Sequence, residues 1–425
     1  MQIDPPNVVV ILTDDQGFGD LGCYGHPSIR TPHIDRLAAE GARFTSFYAG
    51  SPVCTPSRVA LLTGCYPKRV GMQDHVVKPG SVYGLHPQEV TLAEVLEQAG
   101  YATGMVGKWH LGHRLGLLPL DQGFDTWFGV PYSNDMSRAH RPEGDPYAFH
   151  LPLIRDREVV EWEPDQRQLT RRYTEAAVEF IDAHHGERFF LYLAHSMPHT
   201  PLVASEEFAG RSAAGLYGDV IEELDWSTGE VIAALERHGI LDETLVLFLS
   251  DNGPNVKKAG QGGSAGDLRG GKGMDTEGGH RVPAVLRFPA LVPATTVSDE
   301  LLTAMDVLPT VASLAGAELP QQELDGRDVR AQWSGKAGPE RTYLYYGRRG
   351  GLQGIRRGGW KLSLLDGALY DLDADPGEGR DQARDQAAVA EELRALAREI
   401  DAGIDGAKRP VKVVNGVLFD PVEAR

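Results

Sequence analysis

The chain is poor in cysteine. Its 425 residues include three, Cys23, Cys54 and Cys65, and no two of them form a CxxC pair. A disulfide framework or a cysteine-rich zinc site needs more cysteines at closer spacings. The sequence therefore supports neither, and any special role of a cysteine must come from its own surroundings.

Basic residues are also in deficit, with 42 Lys and Arg against 60 Asp and Glu, for a formal net charge of −18. A polyanion would be repelled by such a surface, so we expect no nucleic-acid partner. Long hydrophobic runs are missing too: residues 8–12 form a short apolar run without a basic segment before it. We therefore expect no secretory signal and no membrane contact, and the sequence predicts a cytoplasmic protein.

Hydrophobic residues make up 41% of the chain, enough for a large core. Continuous apolar runs, typical of strands buried on both faces of a parallel sheet, occur at 7–13, 101–106, 188–194 and 244–250. Helical patterns occur between and after them, at 31–41, 92–99, 170–183, 217–238 and 303–315, and a short strand is predicted at 43–47. This alternation predicts an α/β fold with a large, mostly parallel sheet sandwiched by helices.

The pattern changes near residue 340. Short strands separated by Gly-rich turns are predicted at 343–346, 352–356, 360–365 and 368–372, and an amphipathic helix at 387–404. We interpret residues 1–340 as a catalytic domain and residues 341–425 as a subdomain with a small antiparallel sheet and a helix. No internal repeat is present.

Oxygen-bearing side chains follow two of the predicted core strands. Asp14 and Asp15 come directly after the first strand, and Asp251 and Asn252 directly after the strand at 244–250. Open α/β sheets place ligands at the carboxyl ends of their strands. Taken alone, such residues are more often loops or helix caps. Together they form an all-oxygen set, which selects Ca²⁺ or Mg²⁺ over zinc.

Cationic and imidazole side chains occupy comparable positions. Lys108 and His110 follow the strand at 101–106, and His199 lies between two prolines after the strand at 188–194. Taken singly, each is more often an ordinary loop residue than a ligand. Lys272 lies in a Gly-rich segment, 254–281, whose glycines allow close approach to a ligand.

Residues 54–64 read Cys-Thr-Pro-Ser-Arg-Val-Ala-Leu-Leu-Thr-Gly. Pro56 suits the first turn of a helix, so Cys54 is expected at the positive N-terminal end, which favours anions and lowers the pKa of a thiol. For a lone cysteine, the alternative of a small buried side chain before an ordinary helix is the commoner case.

This stretch resembles the signature of the type I sulfatases of the alkaline phosphatase superfamily. The segments 17–27 and 107–110 are most similar to sulfatases of the arylsulfatase A type. The resemblance implies an alkaline-phosphatase-like fold and oxidation of Cys54 to formylglycine by a maturation enzyme. The residue at position 54 and those matching Asp14, Asp15, Asp251 and Asn252 would hold the divalent ion, usually calcium. Arg58, Lys108, His110, His199 and Lys272 match residues around the formylglycine and the sulfate, and Ser133 matches a further substrate contact.

The resemblance also implies a mechanism for hydrolysing sulfate monoesters of aryl or carbohydrate alcohols. The formylglycine gem-diol attacks sulfur, with the metal and Arg58 favouring its ionised form, while Lys108 and Lys272 neutralise the sulfuryl oxygens. His199 protonates the departing alcohol and His110 accepts the proton of the second hydroxyl. Cys65 departs from the pattern, since the family commonly has Arg there.

Two other functions fit the same residues. One is a phosphodiesterase or phosphonate monoester hydrolase of the same superfamily, in which formylglycine attacks phosphorus. The other is a non-catalytic protein that binds sulfo-ligands with Cys54 unmodified. The alcohol part of the substrate is expected to depend on loops such as residues 131–168, and the sequence indicates no oligomeric state.

Overall fold

The computed structural model describes residues 3–74, 76–140, 149–258, 260–348 and 350–417. The strands are β1 (Asn7–Thr13), β2 (Ala42–Phe44), β3 (Phe47–Tyr48), β4 (Tyr83–Gly84), β5 (Ala102–Gly107), β6 (Thr126–Gly129), β7 (Pro152–Arg155), β8 (Glu158–Trp162), β9 (Phe189–Ala194), β10 (Thr244–Ser250), β11 (Ala284–Arg287), β12 (Thr296–Ser298), β13 (Leu302–Thr303), β14 (Thr342–Tyr346), β15 (Leu352–Arg357), β16 (Trp360–Ser363), β17 (Leu369–Asp371) and β18 (Lys412–Val413). The helices are α1 (Pro32–Glu40), α2 (Cys54–Thr63), α3 (Leu92–Gln98), α4 (Leu169–His184), α5 (Gly215–Arg237), α6 (Glu277–His280), α7 (Val307–Ala315), α8 (Arg330–Trp333) and α9 (Ala387–Gly406).

The main sheet has ten strands in the order β12-β2-β11-β10-β1-β9-β5-β6-β7-β8. Its five central strands, β10 to β6 in this order, are all parallel to one another. Of the outer strands, β11 and β7 run the opposite way. This confirms the prediction of a large, mostly parallel sheet. The fully apolar strands lie at its centre because both of their faces have to be covered.

The helices pack in two groups. Helices α1 and α4 both contact α5, and α4 also contacts β5 and β9, while α2, α3 and α7 contact one another. The predicted helices at 31–41, 92–99, 170–183 and 217–238 are confirmed to within a few residues at their ends. No helix in the described part of the chain is long and apolar enough to cross a membrane.

Three segments differ from the prediction. The strand expected at 43–47 is two short strands, β2 in the main sheet and β3 paired with β13. The helix expected at 303–315 begins at Val307, because Thr303 belongs to β13 and its backbone N–H donates to the Asp306 carboxylate at 2.7 Å. Within 131–168, the described residues include the hairpin β7–β8, which extends the main sheet, whereas residues 141–148 lie outside the described part.

A second sheet, in the order β14-β15-β16-β17, is antiparallel throughout, and α9 packs on β15 and β16. This confirms the predicted small antiparallel sheet with its helix. Residues from the first part of the chain, among them Tyr48, Tyr66 and Met305, are buried in the same apolar cluster as this sheet. The division at residue 340 stays a prediction, but residues from both sides of it contribute to this apolar cluster.

Candidate active site

Helix α2 places Cys54 at its first position. Val53 before it is extended, with φ −144° and ψ 151°, and all ten residues of α2 are buried. Two hydroxyls fix this end of the helix: Thr55 Oγ1 donates to the carbonyl of His110 at 2.9 Å, and Ser57 Oγ donates to that of Ala49 at 2.9 Å. Ser57 also donates to the carbonyl of Asp251. The expected helix start at Cys54 is thus present and tied to two strand ends.

The four predicted metal ligands lie together because β1 and β10 are adjacent, parallel and in register at their last residues, Thr13 and Ser250. The backbone N–H of Asp15 donates to Asp251 Oδ1 at 3.1 Å, and Asn252 Nδ2 donates to Asp15 Oδ1 at 2.8 Å. Asn252 Oδ1 is buried and accepts no hydrogen bond from the described residues. A buried acceptor of this kind needs a hydrogen-bond donor or a cation as its partner.

Three cations pair with the three carboxylates. Arg58 lies 2.9 Å from Asp251 Oδ2 and 3.6 Å from Asp14 Oδ2. Lys108 Nζ lies 2.5 Å from Asp14 Oδ2, and Lys272 Nζ lies 2.7 Å from both carboxylate oxygens of Asp15. The formal charges of these six groups therefore cancel when all are ionised.

Burial and charge act in opposite directions on the carboxylates. Burial would raise the pKa of Asp14, but Lys108, followed by His199 and Arg58, holds the pKa well below its ordinary value. For Asp251, burial and the nearby Asp14 carboxylate raise the pKa to about 7, against the attraction of Arg58. A cation placed between these carboxylates would relieve their repulsion.

The expectation of a lowered thiol pKa at Cys54 is wrong for the unmodified side chain. Burial, and next the Asp14 carboxylate, raise the pKa of the Cys54 thiol, and Lys108 and Lys272 do not compensate. Cys54 Sγ lies 3.4 Å from Asp14 Oδ1. The loss of hydration and a carboxylate at contact distance outweigh the helix dipole. An unmodified Cys54 is therefore a neutral thiol here.

Two histidines line the same cavity, and each contacts a backbone carbonyl through a different ring nitrogen. The Nε2 of His110 lies 2.9 Å from the carbonyl of Val77, so this nitrogen carries the proton and Nδ1, which has no donor among the described residues, keeps a free lone pair. Burial, with Lys108 and Arg58, holds the pKa of His110 well below its usual value. His110 is consequently neutral and able to accept a proton.

His199 is held the other way round. Its Nδ1 lies 2.7 Å from the carbonyl of Thr200 and 3.4 Å from Ser133 Oγ, and its Nε2 lies 3.7 Å from Asp15 Oδ2. Burial and Lys272 lower the pKa of His199. The nitrogen that is free to exchange a proton is thus Nε2, on the side of Asp15.

A cavity of about 650 Å³ opens over these groups and is lined by Cys54, His110, Ser133, His199 and Lys272. Its size suits a small organic ligand. The structure therefore brings all the predicted site residues into one region. Sequence reasoning assigned no role to Thr55 and Ser57, although both belong to the Cys54–Gly64 stretch and fix the site geometrically.

The donor set fits a hard divalent cation. Donor atoms of Asp14, Asp15, Cys54 and His199 all lie within 4.8 Å of one another, and the orphaned Asn252 Oδ1 belongs to the same strand ends. Carboxylate and amide oxygens dominate this set, as Ca²⁺ and Mg²⁺ require. Asp251 is not in this group of mutually close donor atoms, and like those of Asp14 and Asp15 its two oxygens already have partners in the chain.

Comparison with known proteins decides the family. The sequence model named Sulfatase matches residues 6–317, about three quarters of the chain. The chain belongs to the sulfatase family. Human arylsulfatase A is 42% identical over 394 residues, covering 88% of this chain and 78% of the human protein. Mouse steryl-sulfatase is 38% identical, covering 83% of this chain and 69% of that protein.

The fold agrees with this assignment. The solved structure of the PsFucS1 sulfatase from Pseudoalteromonas sp. has a TM-score of 0.84 and 28% identity, covering 96% of this sulfatase and 92% of that chain. The resemblance found in the sequence is confirmed, and the protein is a sulfuric ester hydrolase. The phosphonate monoester hydrolase of Agrobacterium radiobacter, at 21% identity and a TM-score of 0.67, shares the fold.

Proposed function

We propose that this sulfatase hydrolyses sulfate monoesters of aryl or carbohydrate alcohols with formylglycine, derived from Cys54 by a maturation enzyme, as its nucleophile. The observation that carries the proposal is the position of Cys54, at the start of a buried helix and between Asp14, Lys108, Lys272 and two histidines. The similar proteins named arylsulfatase, steryl-sulfatase and N-acetylgalactosamine-6-sulfatase support this substrate range. The cytoplasmic location stays a prediction.

Asp14, Asp15, Asp251 and Asn252 would hold Ca²⁺ or Mg²⁺, together with the side chain at position 54. The bound ion would supply positive charge to a site whose own six charges cancel, which favours binding of a sulfate monoanion and ionisation of the nucleophilic hydroxyl. The orphaned Oδ1 of Asn252 supports this ligand set.

Lys108 and Lys272 are proposed to neutralise the sulfuryl oxygens, and Arg58 to favour the ionised form of the nucleophile. Sulfate ester hydrolysis is slow without a catalyst, so on the order of 20 kcal/mol must be removed from the barrier. One general acid supplies about 3–5 kcal/mol. The larger share must come from a positioned nucleophile and from these fixed charges.

The two histidines are proposed to move the protons. His199, when protonated on both ring nitrogens, donates the Nε2 proton to the departing alcohol, while its Nδ1–H donates to the carbonyl of Thr200. His110, neutral and with Nδ1 free, accepts the proton of the second formylglycine hydroxyl. Ser133 contacts His199 and is proposed as a substrate contact.

The direct test of the nucleophile is the mass of the tryptic peptide 44–58 from protein co-expressed with a maturation enzyme. The expected peptide is lighter by the difference between a thiol and an aldehyde, and 4-nitrophenyl sulfate is turned over only by preparations that contain it. An unmodified Cys54 in fully active protein would contradict the proposal. Faster turnover of bis(4-nitrophenyl) phosphate than of 4-nitrophenyl sulfate would contradict the choice of sulfate over phosphodiester.

The metal is tested by chelation. Removing divalent ions should abolish turnover, and adding Ca²⁺ or Mg²⁺ should restore it. At a hundredfold excess over its dissociation constant, the ion should stabilise the fold by about 2.7 kcal/mol. This stabilisation is measured as the rise in melting temperature on adding the ion. Asn252→Ala should lose most of that rise, and an unchanged rise would remove Asn252 from the ligand set.

A further inference from the structure

Four cationic side chains surround the mouth of the active-site cavity and take no part in the chemistry described above. They are Lys78, Lys257, Lys258 and Arg348, and we call them the rim cations. All four are exposed, and none forms an ion pair within the part of the chain that the structure describes. They stand out on a chain whose formal net charge is −18.

The rim cations come from three separate segments that the fold brings to one place. Lys78 follows Val77, whose carbonyl binds the His110 ring. Lys257 and Lys258 lie in the turn after Pro254, whose carbonyl accepts from the backbone N–H of Lys272 at 2.8 Å. Arg348 follows β14, and its Cδ lies 3.7 Å from the place that a Cβ on Gly273 would occupy. Each segment is therefore anchored to a residue of the site or to its immediate neighbour.

Elsewhere on the surface, several exposed or partly exposed arginines pair with carboxylates, although others, such as Arg380 and Arg398, have no ion pair in the described part of the chain. Arg36, Arg167 and Arg357 each lie 2.6–2.8 Å from an acidic oxygen. At the cavity mouth, Asp135 is the carboxylate found among the described lining residues, against four rim cations. Like charges held together repel one another, so the cluster is stabilised when an anion lies between its members.

The cavity is larger than a sulfate group needs. A volume of about 650 Å³ lies within the range of sites that bury a whole small organic molecule. Cys54, Lys272 and His199 line the same cavity as the rim cations, so a ligand whose sulfate reaches the nucleophile extends its alcohol part toward the rim.

We propose that the rim cations bind a second anionic group on the alcohol part of the substrate, so that the preferred substrates are sulfate esters carrying a further sulfate or carboxylate. This inference rests on the proposed function, because it takes the scissile sulfate to lie at position 54. The rim cations determine specificity: they select for charge distant from the reacting sulfur, and exposed charge pairs of this kind act with strong dependence on salt.

The test uses the matured enzyme with four competitors of 4-nitrophenyl sulfate turnover: naphthalene-2-sulfonate and its 6-carbamoyl, 6-carboxylate and 6-sulfonate derivatives. Each carries a sulfonate at position 2 as a sulfate mimic, and the group at position 6 is absent, neutral or anionic. The wild type should bind the disulfonate about tenfold more tightly than the carbamoyl compound at low salt, as expected for several exposed charge pairs acting together. The difference should shrink as salt is added.

The variant Lys78→Gln/Lys257→Gln/Lys258→Gln should reduce the ratio of these two inhibition constants to within about twofold. A control variant, Lys336→Gln/Arg380→Gln/Arg398→Gln, removes the same charge from exposed positions away from the cavity lining and should keep the wild-type ratio. A wild-type ratio near one, or a ratio that survives in the rim variant, would overturn the proposal. A ratio lost equally in both variants would assign the effect to overall charge and overturn it too.

The carboxylate competitor separates the two kinds of second anion. If the carboxylate and the disulfonate both bind more tightly than the carbamoyl compound by the same factor, the rim cations form a site for either anion. If only the disulfonate binds more tightly, they form a site for a second sulfate. If matured protein does not turn over 4-nitrophenyl sulfate at all, the proposed function fails by itself. The same four compounds, bound to the same variants in a calorimeter, then decide the role of the rim cations independently.

Discussion

Each of the two histidines proposed to be catalytic has one ring nitrogen committed to a backbone carbonyl. His110 binds Val77 through Nε2, and His199 binds Thr200 through Nδ1. A carbonyl can only accept, so each contact fixes the tautomer of the neutral ring. The nitrogen left for chemistry is consequently Nδ1 in His110 and Nε2 in His199.

His199→Ala is expected to separate substrates by their leaving groups. A general acid matters when the departing alkoxide is basic, so turnover of alkyl or sugar sulfates should fall by about 10²–10⁴-fold. Turnover of 4-nitrophenyl sulfate should fall much less, since its phenolate needs little protonation. The measurement is kcat/KM over a series of sulfate esters with increasingly basic leaving groups. Equal losses along the series would contradict the assignment, and His140→Ala, which removes an imidazole from the same cavity, should show no such trend.

At the scale of single residues, the sequence predicted which side chains meet but not how they are held. Asp14, Asp15, Asp251 and Asn252 follow apolar strands of one predicted parallel sheet, so their position at the same sheet edge was predictable, whereas the adjacency of β1 and β10 was not. The raised pKa of the Cys54 thiol was not, because it depends on burial and on the distance to Asp14. The rim cations come from three segments far apart in the chain, and no local pattern marks them.

Among the elements of the fold, the loop after β10 shows how tightly the strand end is packed. A Cβ on Gly253 would lie 1.7 Å from the carbonyl oxygen of Gly278, and the Gly253 N–H donates to the carbonyl of Gly279 at 3.1 Å. Helix α6 therefore rests directly on the residue that follows Asp251 and Asn252. A side chain at Gly253 would push these two segments apart.

Gly253→Ala should destabilise the fold by about 1–3 kcal/mol, since neither backbone can move without disturbing its neighbours. It should also weaken Ca²⁺ binding, because Asn252 and Asp251 move with it. Thermal unfolding with and without Ca²⁺ measures both effects. Gly186→Ala is the matched control, since a Cβ there meets nothing within 4 Å, and its stability should change by less than about 0.5 kcal/mol. If Gly253→Ala has wild-type stability and Ca²⁺ binding, α6 can move away from residue 253 at little cost, and the prediction is wrong.

Elements with continuous apolar runs were predicted best. The ranges predicted for β1 and β10 match the structure at both ends. The hairpin β7–β8 was missed because the buried apolar run of β7 is only three residues long and the residues of β8 are polar or partly exposed; the hairpin is held by pairing of β7 with β6. For β2 and β3, one strand was predicted at 43–47, whereas the structure has two short strands in this region that belong to different sheets.

Across the whole molecule, a buried ionic cluster joins the main sheet to the C-terminal sheet. Glu277 of α6 accepts from Tyr48 and Tyr345, each at 2.5 Å, and lies 3.3 Å from Lys361 Nζ. Lys361 also lies 2.8 Å from Glu378. Since α6 contacts the loop after β10, this cluster connects the C-terminal sheet to Asp251 and Asn252, two of the proposed metal ligands.

Glu277→Gln should remove a pH-dependent part of the stability. Burial would raise the pKa of Glu277, but Lys361 and Arg356 lower it from 4.5 to about 2. A carboxylate with a lowered folded-state pKa stabilises the fold fully above pH 4.5, and this contribution, about 3 kcal/mol, is lost as pH falls toward 2. The free-energy difference between wild type and variant should therefore narrow between pH 4.5 and 2.

Urea unfolding at pH 7, 4.5 and 3 measures this difference. Glu243→Gln is the control, because Glu243 is exposed and pairs with Arg188 at 3.3 Å, so its removal should cost little at every pH. A difference between wild type and Glu277→Gln that stays constant with pH would contradict the role of the charge and assign the effect to packing alone.

The burial of α2 has a consequence for biosynthesis. All ten of its residues are inside the folded protein, and the backbone is helical from Cys54 onward. A modifying enzyme that has to bind this stretch in extended form can reach it only on the nascent or unfolded chain. If Cys54 is converted as proposed, the active fraction is fixed while each molecule is made. Later incubation of purified, folded protein with the maturation enzyme should therefore not increase that fraction. The fraction instead depends on how fast Cys54 is modified relative to how fast the chain folds.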